Sequence, residues 1–238
     1  MIRAHLASYP PREEMLRQML PSILPQVDRV FLCLNEYGSV PGWIAENDKI
    51  EAIIPDQDHK DVGKFVTRPA DDDVVFFVDD DVKYHPRYVR RMVKIARQIG
   101  MDGNAFGYHG STYKPSIVQG RLERRIFQFQ KRLTATTEVH QLATNSMMAL
   151  GKNVAPLEYM LDSQKFVDVR YAKWLFEQGV KSWSVRRDHG FLKEISPTEE
   201  DHETIWESFT KNTPVHVIRE IQSFTCAEEA DNGLRAVG

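Results

Sequence analysis

Cysteine is scarce in this chain of 238 residues, which contains only two. Cys33 lies within an apolar segment and Cys226 lies near the end of the chain, so no disulfide framework can be read from their positions. This usage is typical of proteins in a reducing compartment, and it disfavours the small secreted domains that disulfide bonds hold together.

Long apolar runs and an excess of basic charge are also missing. No apolar run approaches the ~20 residues that a membrane-spanning helix needs, and the segment from Met1 to His5 lacks the apolar core of a signal peptide. The net charge of −3 and the isoelectric point near 6.3 provide no overall basic field for a nucleic acid. We therefore expect a cytoplasmic protein without a nucleic acid partner, with at most peripheral contact at the inner face of the membrane.

Apolar residues are frequent enough to build one folded domain, because 42% of the residues are hydrophobic and 27% are charged. Short segments rich in apolar residues predict four strands at Ile2 to Ala7, Val30 to Leu34, Ile50 to Ile54 and Val74 to Val78. Proline-led segments with helical spacing predict helices after Pro10 and from Pro86 to Gly100. With parallel pairing, these elements form a Rossmann-like, mostly parallel sheet flanked by helices in a single α/β domain.

The pattern becomes mixed after residue 103. We expect a nucleotide-binding half at residues 1–103, a second half at 104–226 and a flexible tail at 227–238. The elements predicted in the second half are strands at Ala105 to Tyr113, Leu142 to Leu150 and Lys181 to Val185, and helices at Arg121 to Leu133, Asp168 to Gly179 and Ser196 to Phe209.

Three consecutive aspartates, Asp79, Asp80 and Asp81, follow the buried run from Val74 to Val78. Adjacent carboxylates repel one another, so a divalent cation or several basic side chains should lie beside them. Ligands of open α/β sheets bind beyond the carboxyl ends of the strands, which is where these acids are expected. Aspartates can also simply begin a turn, as we expect of the preceding run from Asp71 to Asp73. The five apolar residues before Asp79 favour a functional site.

An apolar strand that ends in an Asp-x-Asp element, followed by an aromatic residue and a proline-led helix, resembles glycosyltransferases of the GT-A fold. Here that element runs from Phe77 to Pro86. The segment from Ala7 to Arg12 resembles the turn of that family over the nucleotide, and the segment from Asp61 to Phe65 resembles its loop near the base and the phosphates. The segment from Phe166 to Val169, followed by a helix, resembles the part that supplies the catalytic carboxylate. The resemblance implies a GT-A-like fold and an inverting, family-two-like transferase.

The resemblance also assigns roles to individual residues. It implies that Asp81 binds Mn²⁺ or Mg²⁺ directly, and it makes His189 a candidate second ligand, although a histidine in a polar turn is as often structural or solvated. It makes Asp168 the catalytic base. It implies donor contacts for seven residues: Ser8, Tyr9, Arg12, Asp61, Lys64, Asp79 and Asp80. The resemblance also implies a nucleoside diphosphate sugar as the donor, with a UDP-sugar favoured, and a glycan or a lipid-linked glycan as the acceptor.

The chemistry of sugar transfer needs these residue types. A divalent ion offsets the charge that develops on the diphosphate leaving group, and a carboxylate removes the proton of the acceptor hydroxyl. One base without an enzyme nucleophile implies a single displacement and inversion at the anomeric carbon. Asp168 could instead be only the N-cap of a helix. The segment from Ala143 to Ser146 resembles the small-residue wall of the family's acceptor pocket, but it contains no glycine.

Other functions remain open. The basic segment from Arg121 to Arg132 could rest on an anionic membrane or hold a lipid diphosphate, or it could be a solvated helix face. A nucleotidyltransferase of sugar nucleotides should begin with a glycine-rich loop, and residues 7–14 contain no glycine. An aspartyl phosphohydrolase needs Thr or Val where this chain has Lys83. A non-catalytic module that binds a sugar nucleotide or a glycan would keep the acids and lack a working base.

Overall fold

Strands dominate the computed structural model, which describes residues 1–118, 121–196, 213–225 and 236–237. The strands are β1 Ile2–Ser8, β2 Arg29–Leu34, β3 Ile50–Ile53, β4 Val74–Val78, β5 Val82–Tyr84, β6 Asn104–Gly107, β7 Gly110–Val118, β8 Arg121–Phe127, β9 Thr136–Val139, β10 Gln141–Leu142, β11 Ser146–Leu150, β12 Lys181–Ser184, β13 Leu192–Glu194 and β14 Ala236–Val237. The α-helices are α1 Glu13–Ile23, α2 Gly42–Ala45, α3 Tyr88–Ile99, α4 Leu157–Met160, α5 Val167–Glu177 and α6 Val215–Thr225. Among these described helices, none has both the length and the apolar character to cross a membrane.

Nine of these strands form the main sheet, in the order β14-β9-β12-β6-β11-β4-β1-β2-β3. The neighbours β4, β1, β2 and β3 are parallel, with Ala4 opposite both Val30 and Phe76. Strand β11 is antiparallel to β4 and β6, whereas β12 is parallel to β6. Most strands therefore point in one direction, which confirms the prediction of a mostly parallel α/β sheet flanked by helices.

Strand β4 lies at the centre of the sheet, and its apolar run packs on both faces. Phe76 and Val78 belong to the core cluster that contains α1 and α3. Val75 and Phe77 face the opposite layer and join the cluster that contains α5. A strand buried on both faces needs a continuous apolar run, which explains why the sequence predicts its bounds correctly. Asp79 is the first residue to leave this apolar environment.

Helices α1 and α3 cover one face of the sheet. In α1, the buried residues Leu16, Met19, Leu20 and Ile23 recur at the spacing of one helical face. Helix α3 ends before Gly100, whose φ of 108° is open to glycine and strained for other residues. The sequence predicts that each of these two helices begins at a proline, and each observed helix begins within three residues of that proline.

Several predictions for the second half were wrong. The basic segment predicted as a helix from Arg121 is strand β8, because β7 supplies antiparallel backbone partners along it. The strand predicted from Ala105 to Tyr113 divides into β6 and β7, and the one from Leu142 to Leu150 divides into β10 and β11, with the two parts of each in different sheets. The helix predicted from Ser196, where the sequence forms a capping box, lies outside the described residues except for Ser196 itself. The predicted tail also lies outside them, except Ala236–Val237, which pair with β9.

The turn before β4 contains a buried ion pair. Asp73 is only 3% exposed, and its Oδ2 accepts a hydrogen bond from Nη1 of buried Arg3 at 3.1 Å. Its carboxylate also accepts from the α-amino group of Met1 at 2.7 Å and from the amide of Ala70 at 3.0 Å. Burial raises the pKa of Asp73, but these hydrogen bonds together lower that pKa below its ordinary value. Asp73 therefore connects β1 to β4 as well as forming part of the predicted turn.

Replacing Asp73 with asparagine should lower the free energy of unfolding at pH 7 by about 3 kcal/mol, because Arg3 would stay buried without a counter-charge. A carboxylate with a lowered pKa stabilises the fold above about pH 4, and this contribution is lost as the pH falls through that lowered pKa. Urea unfolding at several pH values measures the difference, which should shrink below about pH 4. The exposed neighbour provides the control, Asp72→Asn. A constant difference from pH 7 to pH 3 would contradict the linkage.

Candidate active site

The three aspartates of the motif lie at the carboxyl end of β4, beside the carboxyl end of β1. Asp80 is 2% exposed, and its Oδ2 accepts a hydrogen bond from Ser8 Oγ at 2.7 Å. The side chains of Asp79 and Asp81 are 32% and 38% exposed. Burial raises the pKa of Asp80 to about 7, an effect that Arg12 opposes. Asp80 thus anchors the loop to β1, and its two neighbours face the open edge of the sheet.

Two basic side chains compensate the charge of the aspartates. Arg12 Nη2 lies 3.0 Å from Asp80 Oδ1 and 2.5 Å from Asp81 Oδ2. Lys64 forms an ion pair with Asp79. Burial lowers the pKa of Lys64, but the neighbouring Asp79 carboxylate more than offsets this, and the pKa is raised overall. The sequence predicts either a divalent cation or several basic side chains beside the three aspartates. The structure contains the basic side chains.

The backbone of Lys64 is held against β1 by a neutral histidine. Arg3 Nε donates to His5 Nε2 at 2.9 Å, so the proton of the ring lies on Nδ1, which donates to the Lys64 carbonyl at 2.8 Å. Burial, with a smaller effect from Arg3, lowers the pKa of His5 to about 3. A Cβ at Gly63 would lie 2.8 Å from Cys33 Sγ, so this loop also presses on β2. His5 is a supporting residue that the sequence reasoning missed; its one signal is a polar residue inside a buried strand.

Asp168 is connected to the aspartates through Thr144 and Lys64. The amide nitrogen and Oγ1 of Thr144 each donate to Asp168 Oδ1 at 2.8 Å. Lys64 Nζ donates to the Thr144 carbonyl at 3.2 Å and to Oγ1 at 3.1 Å. Burial raises the pKa of Asp168, and the Thr144 and Lys64 contacts oppose that rise. A continuous polar chain thus runs from Asp79 through Lys64 and Thr144 to Asp168.

Asp168 is not the N-cap of α5. That position belongs to Phe166, and no side chain there makes a capping hydrogen bond. Asp168 is the second residue of the helix, and its side chain bonds to the loop between β10 and β11 instead. The N-cap alternative for Asp168 is therefore wrong, because Phe166 occupies the N-cap position and the Asp168 carboxylate accepts its hydrogen bonds from Thr144.

Tyr84 joins the aspartate loop to the loop that contains Thr144. Its hydroxyl donates to the Asn145 carbonyl at 2.6 Å and accepts from the Asp79 amide at 2.9 Å. Tyr84 is 2% exposed, and burial raises its pKa well above the ordinary value, so the hydroxyl stays protonated. The aromatic residue of the sequence motif thus fixes the backbone of Asp79.

Three further predicted site residues, Tyr9, Asp61 and His189, take no part in the hydrogen bonds described above. Tyr9 directly follows Ser8 and is half-buried at the start of the first 3₁₀ helix. Asp61 accepts from the Lys165 amide at 3.0 and 3.1 Å, and burial raises its pKa to about 6. His189 is exposed in the turn between β12 and β13. Across the described residues, no group of three or more His, Cys, Asp or Glu side chains is arranged to hold a metal ion, so His189 belongs to no such group.

Metal binding at this edge would need fewer protein ligands. Magnesium is often held by one or two carboxylates together with substrate phosphates and water. Asp79 and Asp81 are the two partly exposed carboxylates of the triplet, and each has one oxygen in an ion pair with a basic side chain. This donor set fits an ion that is bound jointly with a diphosphate, and it does not fit a cage made of protein side chains alone.

The fold and the site define an α/β protein with an acidic site at the carboxyl edge of its parallel strands. No protein-family model matches the chain, and no curated protein matches it in sequence at a significant level.

Proposed function

We propose that this protein is a metal-dependent, inverting glycosyltransferase of GT-A-like fold. It moves a sugar from a nucleoside diphosphate sugar to a glycan or a lipid-linked glycan. One observation carries the proposal: residues taken from four separate sequence motifs converge at one edge of the sheet. They are Ser8, Arg12, Lys64, the triplet Asp79, Asp80 and Asp81, and Asp168.

The donor half of the site combines fixed positive charges with partly exposed acids. Arg12, whose side chain is 28% exposed, is available to contact the diphosphate, which would replace its present carboxylate partners in part. Lys64, whose side chain is only 4% exposed, contributes its positive charge to the donor half through its pair with Asp79. Asp81, together with Asp79, would hold Mn²⁺ or Mg²⁺. When bound, the ion offsets the negative charge that develops on the leaving diphosphate. Asp80 keeps the loop in place through Ser8.

Asp168 serves as the general base. Thr144 holds its Oδ1, so Oδ2 is the oxygen left to accept the proton of the acceptor hydroxyl. Burial raises the pKa of this carboxylate, which makes it a stronger base than a solvated aspartate. With one base and no enzyme nucleophile, the hydroxyl oxygen attacks the anomeric carbon as the bond to the diphosphate breaks, and the configuration inverts.

Melting temperatures measured with a panel of nucleoside diphosphates test the donor class. The matching nucleotide at ~100 times its Kd should add ~2.7 kcal/mol to the free energy of unfolding. We expect UDP to give the largest shift, and Mn²⁺ to increase it. Transfer is then assayed with sugar nucleotides of the matching base. The absence of any nucleotide-dependent shift would contradict the proposal, and an intact donor bound without turnover would instead support a non-catalytic sugar-nucleotide-binding module.

A further inference from the structure

We propose that Thr144 is a positioning residue: it fixes the Asp168 carboxylate in the orientation needed for catalysis and ties it to the donor-side acid Asp79 through Lys64. This inference rests on the proposed function, since it gives Asp168 the role of base. It adds a residue that the sequence motifs do not mark, because Thr144 stood only within the expected small-residue wall of the acceptor pocket.

All the hydrogen-bonding groups of Thr144 are engaged in this connection. Thr144 is 2% exposed. Its amide and its hydroxyl both donate to the same oxygen of Asp168, each at 2.8 Å. Its carbonyl and its hydroxyl oxygen both accept from Lys64 Nζ, at 3.2 and 3.1 Å. A hydroxyl that donates to one partner and accepts from another fixes both partners at once.

The loop that carries Thr144 is itself fixed at both ends. It connects β10 of the three-stranded sheet to β11 of the main sheet. The amide of Ala143 donates to the His109 carbonyl at 2.9 Å, and the carbonyl of Asn145 accepts from Tyr84 at 2.6 Å. Thr144 therefore presents its amide and hydroxyl from a rigid position, which is what a group that orients a base requires.

The two hydrogen bonds to Oδ1 select one orientation of the Asp168 carboxylate. With both in place, Oδ2 is the oxygen directed to an acceptor hydroxyl. With the amide alone, the carboxylate can rotate, and misplacement of a catalytic group by about 1 Å can cost about a hundredfold in rate. Loss of the hydroxyl should thus reduce turnover more than it reduces binding of the donor.

Two substitutions and one control test this inference. Thr144→Val keeps the shape and the backbone amide and removes the hydroxyl, whereas Thr144→Ser restores a hydroxyl. Thr225→Val makes the same chemical change at a buried threonine of α6, whose Oγ1 bonds to the Ile221 carbonyl at 2.9 Å. We expect Thr144→Val to lower kcat about ten- to a hundredfold with donor Kd within about twofold, Thr144→Ser to recover most of the loss, and the control to match wild type.

The pH profile provides a readout that a purely structural role would not move. The titratable groups whose charges act on Asp168 include Lys64, Asp61, Asp79 and Tyr113. The Thr144→Val substitution changes none of these residues. The Thr144 hydroxyl lowers the pKa of Asp168, so its removal should raise that pKa. The acidic limb of the kcat profile should then move to higher pH in Thr144→Val and return in Thr144→Ser.

The outcomes separate this inference from the proposed function. If wild type transfers sugar, Asp168→Asn does not, and Thr144→Val behaves like wild type in kcat and pH profile, the inference is wrong and the function stands. If wild type transfers nothing from any donor, the function fails. The catalytic part of the inference then fails with it, and the part in which Thr144 holds the carboxylate is tested by ¹³C NMR titration of the Asp168 carboxyl, assigned by its loss in Asp168→Asn. An unchanged pKa in Thr144→Val would overturn it.

Discussion

Replacing Asp168 with asparagine should lower kcat by about 10²–10⁴, the usual contribution of general base catalysis. An amide has the shape of the carboxylate and still accepts the two hydrogen bonds from Thr144, but it cannot take up the proton of the acceptor hydroxyl. Donor affinity and melting temperature should therefore stay close to the wild-type values. Steady-state kinetics, nucleotide titration and thermal unfolding of the same preparation measure all three quantities.

A second substitution and a control complete this test. Asp168→Ala also removes the acceptor for Thr144, so it should add a stability loss of about 1–3 kcal/mol to the loss of turnover. Asp162→Asn changes an exposed aspartate in the short 3₁₀ helix before α5 and should be silent. Near-wild-type turnover in Asp168→Asn would remove Asp168 from the mechanism.

Chelation of divalent metal with EDTA should abolish sugar transfer and weaken binding of the nucleoside diphosphate. In metal-free protein, the compensating charges are Arg12 and Lys64, which are already paired with the acids. Asp81→Asn should remove the part of the affinity that depends on Mn²⁺ and leave the metal-independent part. The fold should be little disturbed, because the Asp81 side chain is 38% exposed and Arg12 keeps its contact with Asp80. Calorimetric titration with and without Mn²⁺ separates the two parts.

The matched control for Asp81→Asn is Asp188→Asn. Asp188 is also an exposed aspartate paired with an arginine, Arg91, at 3.1 Å, but it lies outside the triplet. Its replacement should leave the metal dependence intact. Equal diphosphate affinity with Mn²⁺ and with excess EDTA would show that Arg12 and Lys64 alone compensate the charge, and the proposed metal site would be wrong.

Much of the first half, residues 1–103, could be predicted from local pattern because strands β1, β2 and β4 are mostly buried. Strands β2 and β4 contain continuous apolar runs, β1 is apolar except for Arg3, His5 and Ser8, and the aspartates mark where β4 leaves the core. The prediction of a helix from Arg121 was wrong because the local pattern there does not indicate the strand that forms. Strand β8 is stabilised by its pairing with β7, and its own residues, many of them basic, give no strand-like alternation.

The supporting residues of the site could not be predicted because their partners are distant in sequence. Lys64 is separated from Thr144 by 80 positions, and His5 from Lys64 by 59. No local pattern marks a threonine in a short loop as part of a site, and a histidine in a buried strand is a signal that does not identify its partner. The motifs predicted which charged residues should lie near one another, and only the packing of the sheet and its loops shows how Arg12, Lys64, the aspartates and Asp168 are connected.

The central position of β4 has a practical consequence for dividing the chain. Strand β4 lies between β1 from the first half and β11 from the second, so the halves at residues 1–103 and 104–226 share one sheet. A recombinant fragment that stops at residue 103 would present β4 as an unpaired, wholly apolar edge, which is an aggregation hazard. It would also lack Thr144 and Asp168, the proposed positioning residue and the proposed base. Complementation between the two fragments should therefore need co-expression, since neither could be purified first as a stable partner.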